Sequence, residues 1–559
     1  MSVRRIALFL VATTQVVACQ KATPSQEAVA APPESVPVAA SVHAPRVAVV
    51  ASAAAVPEPA AEPSPTRRVG SLTQDAFIRA QPNHGSPEIG TLDIGGTVAL
   101  REPEPVGKAG CPGGWYAVQP KGFLCHDRTT TLEPESHPLI QAKTAHARRD
   151  EDAPYRWGES RYAPVYRKLP DAKEQQRWEG KIDKHLAALE KLREARRSGA
   201  SEDEVRTPPN FQGVDLFPAT GEPPAFLSHG APSPWANVHT PGDGRARYEM
   251  VPARSTLAWT DEFFAEGRSW LLTPQLLLVP KDKISLQKPS AFRGAMLSEG
   301  IELPLAFIRG EPKPKYRIEG GEEVAEGQRP DGVVPAVWAA GAEFAEDPDD
   351  AKGRFVLAGE TWKRLDRVGL TGRARWKRGK RYLETRESGM WIRESDAVVV
   401  RGRAPEGLEL AEGEKWIDVS IHWGTLVAYE GKKPMFATLI SPGLKGYARV
   451  GGKPTKNTTP TGAFRIEWKH VTRTMSPDPE KKSYYLSEVP YTQFFHQPFA
   501  LHGAYWHDAF GEPKSGGCVN LSVADARWLF GWTEPSLPAG WHSVRSGDDR
   551  GAGTWVVVR

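Results

Sequence analysis

Prolines and glycines limit the secondary structure that this chain can form. Its 559 residues include 50 prolines and 52 glycines. Proline breaks the interior of a helix, and glycine weakens the interior of both helices and strands. Short strands, turns and linkers are therefore favoured over long helices. Apolar residues make up 40% of the chain, which is enough to bury cores, and its length is typical of about three or four domains.

The charge of the chain gives no indication of a nucleic-acid partner. Lysine and arginine together number 72, aspartate and glutamate 68, and the formal net charge is only +4. Proteins that bind nucleic acids concentrate positive charge in a patch or stripe, and the sequence contains no such stripe. We therefore expect no nucleic-acid partner.

Residues 1–19 have the pattern of an export signal. Two arginines within residues 1–5 precede an almost entirely apolar run at 6–12, and residues 16–19 read Val-Val-Ala-Cys. A charged start, a short apolar run and small residues typify a signal peptide, and this run is too short to span a membrane. The ending resembles a bacterial lipobox, which implies that Cys19 is lipidated as the first residue of the mature protein.

The residue after this cysteine bears on the location of the protein. Gln20 follows Cys19, whereas Asp at this place tends to keep a lipoprotein at the inner membrane of Gram-negative bacteria. The resemblance therefore implies an exported, periplasmic protein that is lipid-anchored to the outer membrane. The alternative is a plain secretory signal in which Cys19 is incidental.

Composition and strand patterns divide the following residues into modules. Residues 20–67 are rich in alanine and proline and are predicted to be a flexible linker. Residues 68–132 combine strand-like alternation with glycine-rich turns and resemble bacterial SH3-like domains. The phrase Ala-Phe-Ile-Arg at 76–79 recurs at 306–309, within a β-rich stretch over 231–411. We interpret this stretch as one or more further SH3-like regions, although short strands also repeat by coincidence.

The intervening residues 133–230 are predicted to be a linker with a helical insertion. Residues 171–197 form the predicted helix, and Gly199 is a plausible stop. Its charged residues indicate a solvated face. Apolar residues recur at helical spacing, namely Trp178, Ile182, Leu186, Leu189 and Leu192.

The last predicted domain covers residues 412–559. A short helix is expected at about 524–530. Strand-like alternation recurs at 416–421, 425–429, 435–440 and 555–558. The predicted fold class is therefore mainly β, with a β-rich C-terminal domain.

The cysteines indicate one disulfide and one unpaired thiol. Cys111 and Cys125 are 14 residues apart in one turn-rich segment, and a local disulfide is the natural interpretation in an exported chain. Cys518 is then unpaired. An odd cysteine in an exported protein is either a reactive thiol or a buried inert one, and its neighbours decide between the two.

The neighbours of Cys518 favour a reactive thiol. A thiol nucleophile needs a base, backbone donors for the developing oxyanion, and close access for a carbonyl group. Gly516 and Gly517 directly precede Cys518 and permit close access. His502 lies 16 residues upstream, a distance that a hairpin-like excursion can close, and is the candidate base.

Residues 413–559 resemble the catalytic domain of L,D-transpeptidases of the YkuD type. Five motifs occur in the order of that family: Ser-Pro-Gly at 441–443, Thr-Pro-Thr-Gly-Ala-Phe at 459–464, Val-Pro-Tyr at 489–491, Ala-Leu-His-Gly at 500–503 and Ser-Gly-Gly-Cys-Val-Asn at 515–520. The resemblance implies a β-sandwich domain that acts on the peptide stems of peptidoglycan. It also implies acyl transfer through a thioester, with no metal or organic cofactor.

The resemblance assigns roles to the two main residues. Cys518 is expected to attack the carbonyl between the third and fourth residues of a tetrapeptide stem and to release D-alanine. His502 accepts the thiol proton and later activates the acceptor amine, and the carbonyl of Gly503 orients its imidazole. The acceptor is another stem, an envelope protein, a D-amino acid or water.

The nucleophile loop has supporting roles and one departure from the family. The backbone N–H groups of Gly517 and Cys518 are the oxyanion candidates, and Ser515 and Asn520 are expected to support the loop. Most family members have histidine at the position of Gly516. Loss of that donor is expected to lower the rate by roughly 10–1000-fold, unless another residue compensates.

Nearby side chains offer compensation or contacts with the substrate. His507 or Tyr491 could fill the space left at Gly516. Together with Trp506 they are also candidates for lining the substrate groove, although core packing is the commoner role of aromatic residues.

Other functions are compatible with parts of the sequence. A weakly active or inactive peptidoglycan-binding lipoprotein is favoured by Gly516 and disfavoured by the complete pair of Cys518 and His502. An L,D-carboxypeptidase would use water as the acceptor. A zinc site of Cys518 with His502, His507 or His496 lacks paired ligand motifs, so no metal is expected.

Overall fold

The computed structural model describes residues 67–147, 153–201, 205–234, 250–297, 302–320, 344–347, 352–403, 407–446, 457–476, 484–547 and 552–559. Strands hold 40% of these described residues and helices 14%, so the prediction of a mainly β fold is confirmed. Ser64–Arg559 forms one compact unit. The predicted signal peptide, Cys19 and nearly all of the linker at 20–67 lie outside the described residues. Within these residues, no helix is long and apolar enough to cross a membrane.

The first β region contains seven strands and one helix. Cys111 and Cys125 are joined by a disulfide with an S–S distance of 2.10 Å. The elements are β1 (Arg68–Ser71), β2 (Ala76–Arg79), β3 (Glu88–Leu92), β4 (Thr97–Ala99), β5 (Trp115–Ala117), β6 (Phe123–Cys125), β7 (Thr130–Thr131) and α1 (Pro138–Ala145). Helix α1 begins at a proline, which suits a first helical position, and His137 caps it.

The second β region runs from β8 to β15 and includes two helices. Its elements are β8 (Arg156–Ser160), β9 (Ala163–Pro164), α2 (Ala172–Trp178), α3 (Ile182–Arg197), β10 (Met250–Val251), β11 (Thr256–Trp259), β12 (Asp261–Ala265), β13 (Arg268–Leu272), β14 (Leu278–Pro280) and β15 (Ile284–Gln287). Its main sheets have the strand orders β11-β8-β15 and β12-β13-β14. The prediction of 133–230 as a linker is therefore wrong for β8 and β9, because Trp157 is fully buried and holds β8 in the sheet.

The helix predicted over 171–197 is interrupted. Asp171 caps α2 through a bond from the Glu174 N–H, and the chain leaves the helical path before α3 starts at Ile182. Gly180 lies in the gap and weakens helix continuity. Glu179 in the same gap pairs with the buried Arg268 at 2.7 Å. The sequence periodicity cannot reveal this tertiary ion pair, so the prediction of one helix is wrong.

The third β region comprises β17 to β24. Preceded by β16 (Ala295–Met296), its strands are β17 (Leu305–Phe307), β18 (Lys313–Glu319), β19 (Ala345–Asp347), β20 (Arg354–Trp362), β21 (Arg367–Lys377), β22 (Lys380–Thr385), β23 (Trp391–Arg393) and β24 (Val398–Val400). The sheet order is β20-β18-β23-β22-β21-β17-β24, and β19 pairs with β21.

The C-terminal domain is a two-sheet structure with one helix against it. Its elements are β25 (Lys415–Ser420), β26 (Thr425–Glu430), β27 (Lys433–Leu439), β28 (Gly462–Arg465), β29 (Trp468–Met475), β30 (Leu486–His496), β31 (Phe499–Gly503), β32 (Val519–Leu521), α4 (Val523–Trp532), β33 (Ser543–Arg545) and β34 (Trp555–Val558). One sheet has the order β16-β27-β26-β25-β34-β28. Between the sheets lies a core of buried apolar residues that includes Ile417, Leu426, Leu501 and Val519.

The second sheet of this domain continues into the first β region. Its nine strands have the order β32-β31-β30-β29-β33-β3-β2-β6-β5. The junction is the antiparallel pairing of β3 with β33, with Gly90 opposite Val544 and Thr91 opposite Ser543. Trp541 packs so closely on Gly90 that an added Cβ would lie 2.3 Å from its ring. The sheet that carries the candidate active site is thus shared by residues more than 400 positions apart.

Candidate active site

The strand pairing of β31 with β32 brings His502 and Cys518 to one place. The two strands are parallel, with Leu501 opposite Val519 and His502 opposite Asn520. Side chains alternate between the two faces of a strand. Cys518 directly precedes β32, so the same register places it beside Ala500, on the face that His502 occupies.

The imidazole of His502 is held in one tautomer. The residue is only 3% exposed, and its Nδ1 lies 3.2 Å from the carbonyl oxygen of Gly503. A carbonyl oxygen only accepts hydrogen bonds, so Nδ1 carries the proton and Nε2 is left as a base. Burial lowers the pKa of His502 to about 4, partly offset by the bond to Gly503. The ring is therefore neutral at physiological pH and able to accept a proton.

Cys518 is a half-buried, free cysteine. Its Sγ lies 3.9 Å from the carbonyl oxygen of Pro498. Burial raises the pKa of the thiol to about 11, and the backbone N–H of Ala500 offsets part of that rise. Because the neighbouring imidazole is neutral, no positive charge holds a thiolate. The two residues on this face of the sheet are therefore a thiol and a neutral imidazole.

Ser515 organises the loop before the cysteine. Its Oγ accepts a hydrogen bond of 3.0 Å from the N–H of Gly517 and donates to the carbonyl oxygen of Cys518. The N–H of Gly517 therefore does not face an oxyanion position, and our prediction for that group is wrong in this structure. The N–H of Cys518 remains the backbone candidate.

The other sequence motifs meet around the same loop. The backbone of Ser441 exchanges two hydrogen bonds with Asn520, and the carbonyl of Pro442 accepts from the N–H of Ser515 at 3.0 Å. The hydroxyl of Thr459 accepts from the N–H of Gly443 at 2.9 Å. Motifs that are far apart in sequence thus form one frame for Cys518.

Gly517 has a conformation that only glycine adopts easily. Its φ is +134°, and an added Cβ would lie 2.5 Å from the ring of Phe499 and 2.8 Å from the carbonyl oxygen of Thr458. Gly516 differs in both respects. It is exposed, and an added Cβ would meet only Asn457 Oδ1, at 3.9 Å. A side chain therefore fits at position 516 and does not fit at position 517.

His507 is bonded to Asn520 on the catalytic strand. Its Nε2 lies 2.9 Å from Nδ2 of Asn520, and burial lowers the pKa of His507 to about 4. The ring is thus neutral, and its Nε2 accepts from the amide. Its Nδ1 and the Oδ1 of Asn520 are buried and have no partner among the described residues. The N–H at Nδ1 of His507 makes this pair our candidate substitute for the missing histidine donor.

The two other groove candidates, Trp506 and Tyr491, have different aromatic neighbours. The ring of Trp506 is 5.8 Å from that of His502. Tyr491 lies in β30 and contacts Phe530 of α4 at 5.8 Å between ring centroids. Trp506 therefore borders the base directly, whereas Tyr491 packs toward the helix.

Sequence reasoning missed three contributors to the site. The carbonyl of Pro498 and the N–H of Ala500 both approach Sγ of Cys518. The third is Trp157 of the second β region, whose ring stacks on Tyr505 at 4.4 Å. Of these three residues, only Ala500 could have been identified from the sequence, because it lies next to the His-Gly motif. No group of three or more His, Cys, Asp or Glu suited to a metal ion occurs among the described residues.

The raised thiol pKa predicts a particular pH profile for alkylation. Thiolate is the reactive form, and its share grows about tenfold per pH unit below the pKa. The rate at which iodoacetamide modifies Cys518 should therefore rise continuously from pH 7 to pH 10. Mass spectrometry of the peptide that contains Cys518 measures this rate. A plateau between pH 5 and pH 9 would instead reveal a stable thiolate–imidazolium pair.

Comparison with known proteins agrees with the motifs. The profile of the L,D-transpeptidase catalytic domain family, YkuD, matches residues 414–558. Among solved structures, an L,D-transpeptidase fragment from Xylanimonas cellulosilytica is 21% identical, with 28% of this chain covering 64% of that chain at a TM-score of 0.20. A second, from Stackebrandtia nassauensis, is 24% identical. The match covers 28% of this chain and 60% of that chain, with a TM-score of 0.19. A third, from Mycobacterium smegmatis, is 18% identical. The match covers 38% of this chain and 75% of that chain, with a TM-score of 0.19.

The family match concerns the C-terminal part of the chain, residues 414–558. This chain spans less than two thirds of the length of the first two structures. A search of curated proteins finds no match. The family profile covers the whole frame of motifs around Cys518 and His502. Residues 414–558 of this chain are an L,D-transpeptidase catalytic domain of the YkuD family.

Proposed function

We propose that this protein is an exported, lipid-anchored cell-wall L,D-transpeptidase that uses Cys518 as its nucleophile. The observation that carries the proposal is the parallel register of β31 and β32. It aligns a free thiol with His502, a neutral imidazole whose Nδ1–H is fixed by the carbonyl of Gly503. A nucleophile, a base and a group that orients the base are the parts that covalent acyl transfer needs.

In the first half-reaction, Sγ of Cys518 attacks the carbonyl between the third and fourth residues of a tetrapeptide stem. The thiol proton passes to Nε2 of His502. The C–N bond then breaks, and His502 returns the proton to the amine of the departing D-alanine. The stem remains on Sγ as a thioester.

In the second half-reaction, an acceptor amine attacks the thioester carbonyl and gives a proton to His502. The C–S bond breaks, and Sγ recovers the proton. An acceptor amine on another stem gives a 3–3 crosslink, and one on an envelope protein gives an attached protein. Water as the acceptor gives an L,D-carboxypeptidase product.

A second candidate function is peptidoglycan binding with weak or no catalysis. The specific observation in its favour is Gly516, which is exposed and offers no side-chain donor beside the nucleophile. The bond between His507 and Asn520 argues for partial compensation. The two candidates differ in whether a covalent stem–protein adduct forms.

The test is incubation of the full-length chain, in mild detergent, with purified muropeptides that carry tetrapeptide stems. Intact-protein mass spectrometry detects the acyl-enzyme, and product analysis separates dimers from tripeptide. Protein blocked beforehand with iodoacetamide at Cys518 is the control. We expect an adduct and dimers only in the unblocked sample.

Two other outcomes of this experiment would each support one of the alternative functions. Tripeptide without dimers would identify an L,D-carboxypeptidase. Muropeptide binding without any adduct would contradict the transpeptidase proposal and favour a wall-binding role.

A further inference from the structure

The segment at 504–517 joins the base His502 to the nucleophile Cys518, and residues outside the catalytic domain hold its start and its middle. At its start, Tyr505 is fully buried. Its ring stacks on that of Trp157 with a centroid distance of 4.4 Å and an interplanar angle of 8°. Trp157 belongs to β8 of the second β region and is itself fully buried.

The hydroxyl of Tyr505 is fixed in the same interface. It donates to the carbonyl of Ser487 at 2.8 Å and lies 2.5 Å from Oγ1 of Thr256. Thr256 belongs to β11, which is hydrogen-bonded to β8. Tyr505 therefore has no freedom to rotate or shift unless the second β region moves with it.

Aromatic contacts continue from Tyr505 to the base. The ring of Trp506 stands perpendicular to that of Tyr505 at 4.9 Å. On its other side, the ring of Trp506 lies 5.8 Å from the imidazole of His502. A series of ring contacts thus runs from Trp157 through Tyr505 and Trp506 to His502.

The third β region holds the middle of the same segment. Arg364 donates to Oδ2 of Asp508 at 2.8 Å and also to the backbone carbonyl of that residue. Arg309 donates to the carbonyl of Gly511 at 3.3 Å. A guanidinium that grips a side chain and a carbonyl of one residue fixes that residue more firmly than a single surface ion pair does.

We propose that the second and third β regions position the catalytic pair through this segment, with Trp157 and Arg364 as positioning residues for His502 and Cys518. The inference rests on the proposed transpeptidase function. It gives these regions a role in catalysis that does not depend on their binding a ligand of the cell wall.

The experiment compares the full-length variants Trp157→Leu, Trp157→Phe and Arg364→Met with the wild type. Two quantities are measured: kcat/KM for tetrapeptide muropeptides, and the pH profile of iodoacetamide modification at Cys518. Thermal midpoints monitor folding. Ile78→Ala, at a fully buried site of the first β region, is the control for loss of stability alone. Arg354→Met is the control for Arg364, because Arg354 is 76% exposed and pairs with Glu319.

For Trp157→Leu we expect kcat/KM to fall about 10–100-fold, because misplacement of a catalytic group by about 1 Å has effects of that size. We expect alkylation at pH 8 to become faster, because a loosened segment exposes Cys518 to solvent. Trp157→Phe should restore most of both values. Arg364→Met should show the same opposite changes, about 3–10-fold, because two charge-assisted bonds hold Asp508 more firmly than one exposed ion pair does.

The proposal predicts that kcat/KM falls while alkylation of Cys518 becomes faster. It is overturned if the Trp157 and Arg364 variants match the wild type in both assays. It is also overturned if Ile78→Ala, at an equal loss of thermal midpoint, changes both quantities equally. If the wild type itself does not turn over muropeptides, the proposed function fails, whereas the alkylation profiles still test whether Trp157 and Arg364 position Cys518.

Discussion

Replacement of Cys518 by alanine is expected to remove all acyl-enzyme and all transfer product. Every step of the proposed reaction passes through the bond between Sγ and the stem carbonyl, and no second free cysteine occurs among the described residues. In a serine protease, loss of the nucleophile lowers the rate by about 10⁶-fold, so turnover should fall below detection. Intact-protein mass spectrometry after incubation with tetrapeptide muropeptides measures the adduct.

The fold should tolerate this substitution. The Sγ atom of Cys518 makes only weak polar contacts, with the carbonyl of Pro498 at 3.9 Å and with the N–H of Ala500, so the thermal midpoint should stay close to that of the wild type. His502→Gln is the companion variant and should slow acylation by about 10²–10⁴-fold. Acyl-enzyme in the Cys518→Ala protein would show that another residue is the nucleophile.

Gly517→Ala is expected to disable the nucleophile loop, whereas Gly516→Ala should leave it intact. At position 517 the φ of +134° and the close approach of Phe499 and the Thr458 carbonyl exclude a Cβ without movement of the backbone. Strained backbone of this kind costs about 1–3 kcal/mol. If this cost destabilises the conformation of the loop that is competent for catalysis, turnover drops by roughly 10–100-fold.

The adjacent glycine provides a matched control. Position 516 has open space beyond 3.9 Å, so Gly516→Ala should retain both the thermal midpoint and kcat/KM. Gly516→His is a further variant, because it places an imidazole where most family members have one. Equal losses in Gly516→Ala and Gly517→Ala would contradict the difference in geometry between the two positions.

The residues of the candidate site could be predicted from the sequence because they lie in short segments. His502, Ser515 and Cys518 lie within two motifs, and each residue type has few alternative chemical uses in that order. The free state of Cys518 followed from the count of cysteines and agrees with the bond between Cys111 and Cys125. The mainly β fold followed from the frequency of proline and glycine.

Local backbone details were less accessible to sequence reasoning. The two glycines before Cys518 look alike in sequence, yet only Gly517 requires its unusual φ. The N–H of Gly517 bonds to Ser515 instead of facing an oxyanion. The conformation and the hydrogen-bond partner of such a residue depend on the donors and acceptors that neighbouring strands leave unpaired. The spacing of motifs in the sequence contains no information about these groups.

The sequence by itself determined the candidate reactive residues, the β character and the position of the catalytic domain, since motif chemistry and backbone propensities are local properties. Only the tertiary structure decided how the preceding regions meet that domain. It placed Thr256 against Tyr505 across 249 residues, joined β3 to β33 and interrupted the helix at Glu179 through a buried arginine. These outcomes depend on packing energies between residues far apart in the chain, and such energies leave no periodic trace in the sequence.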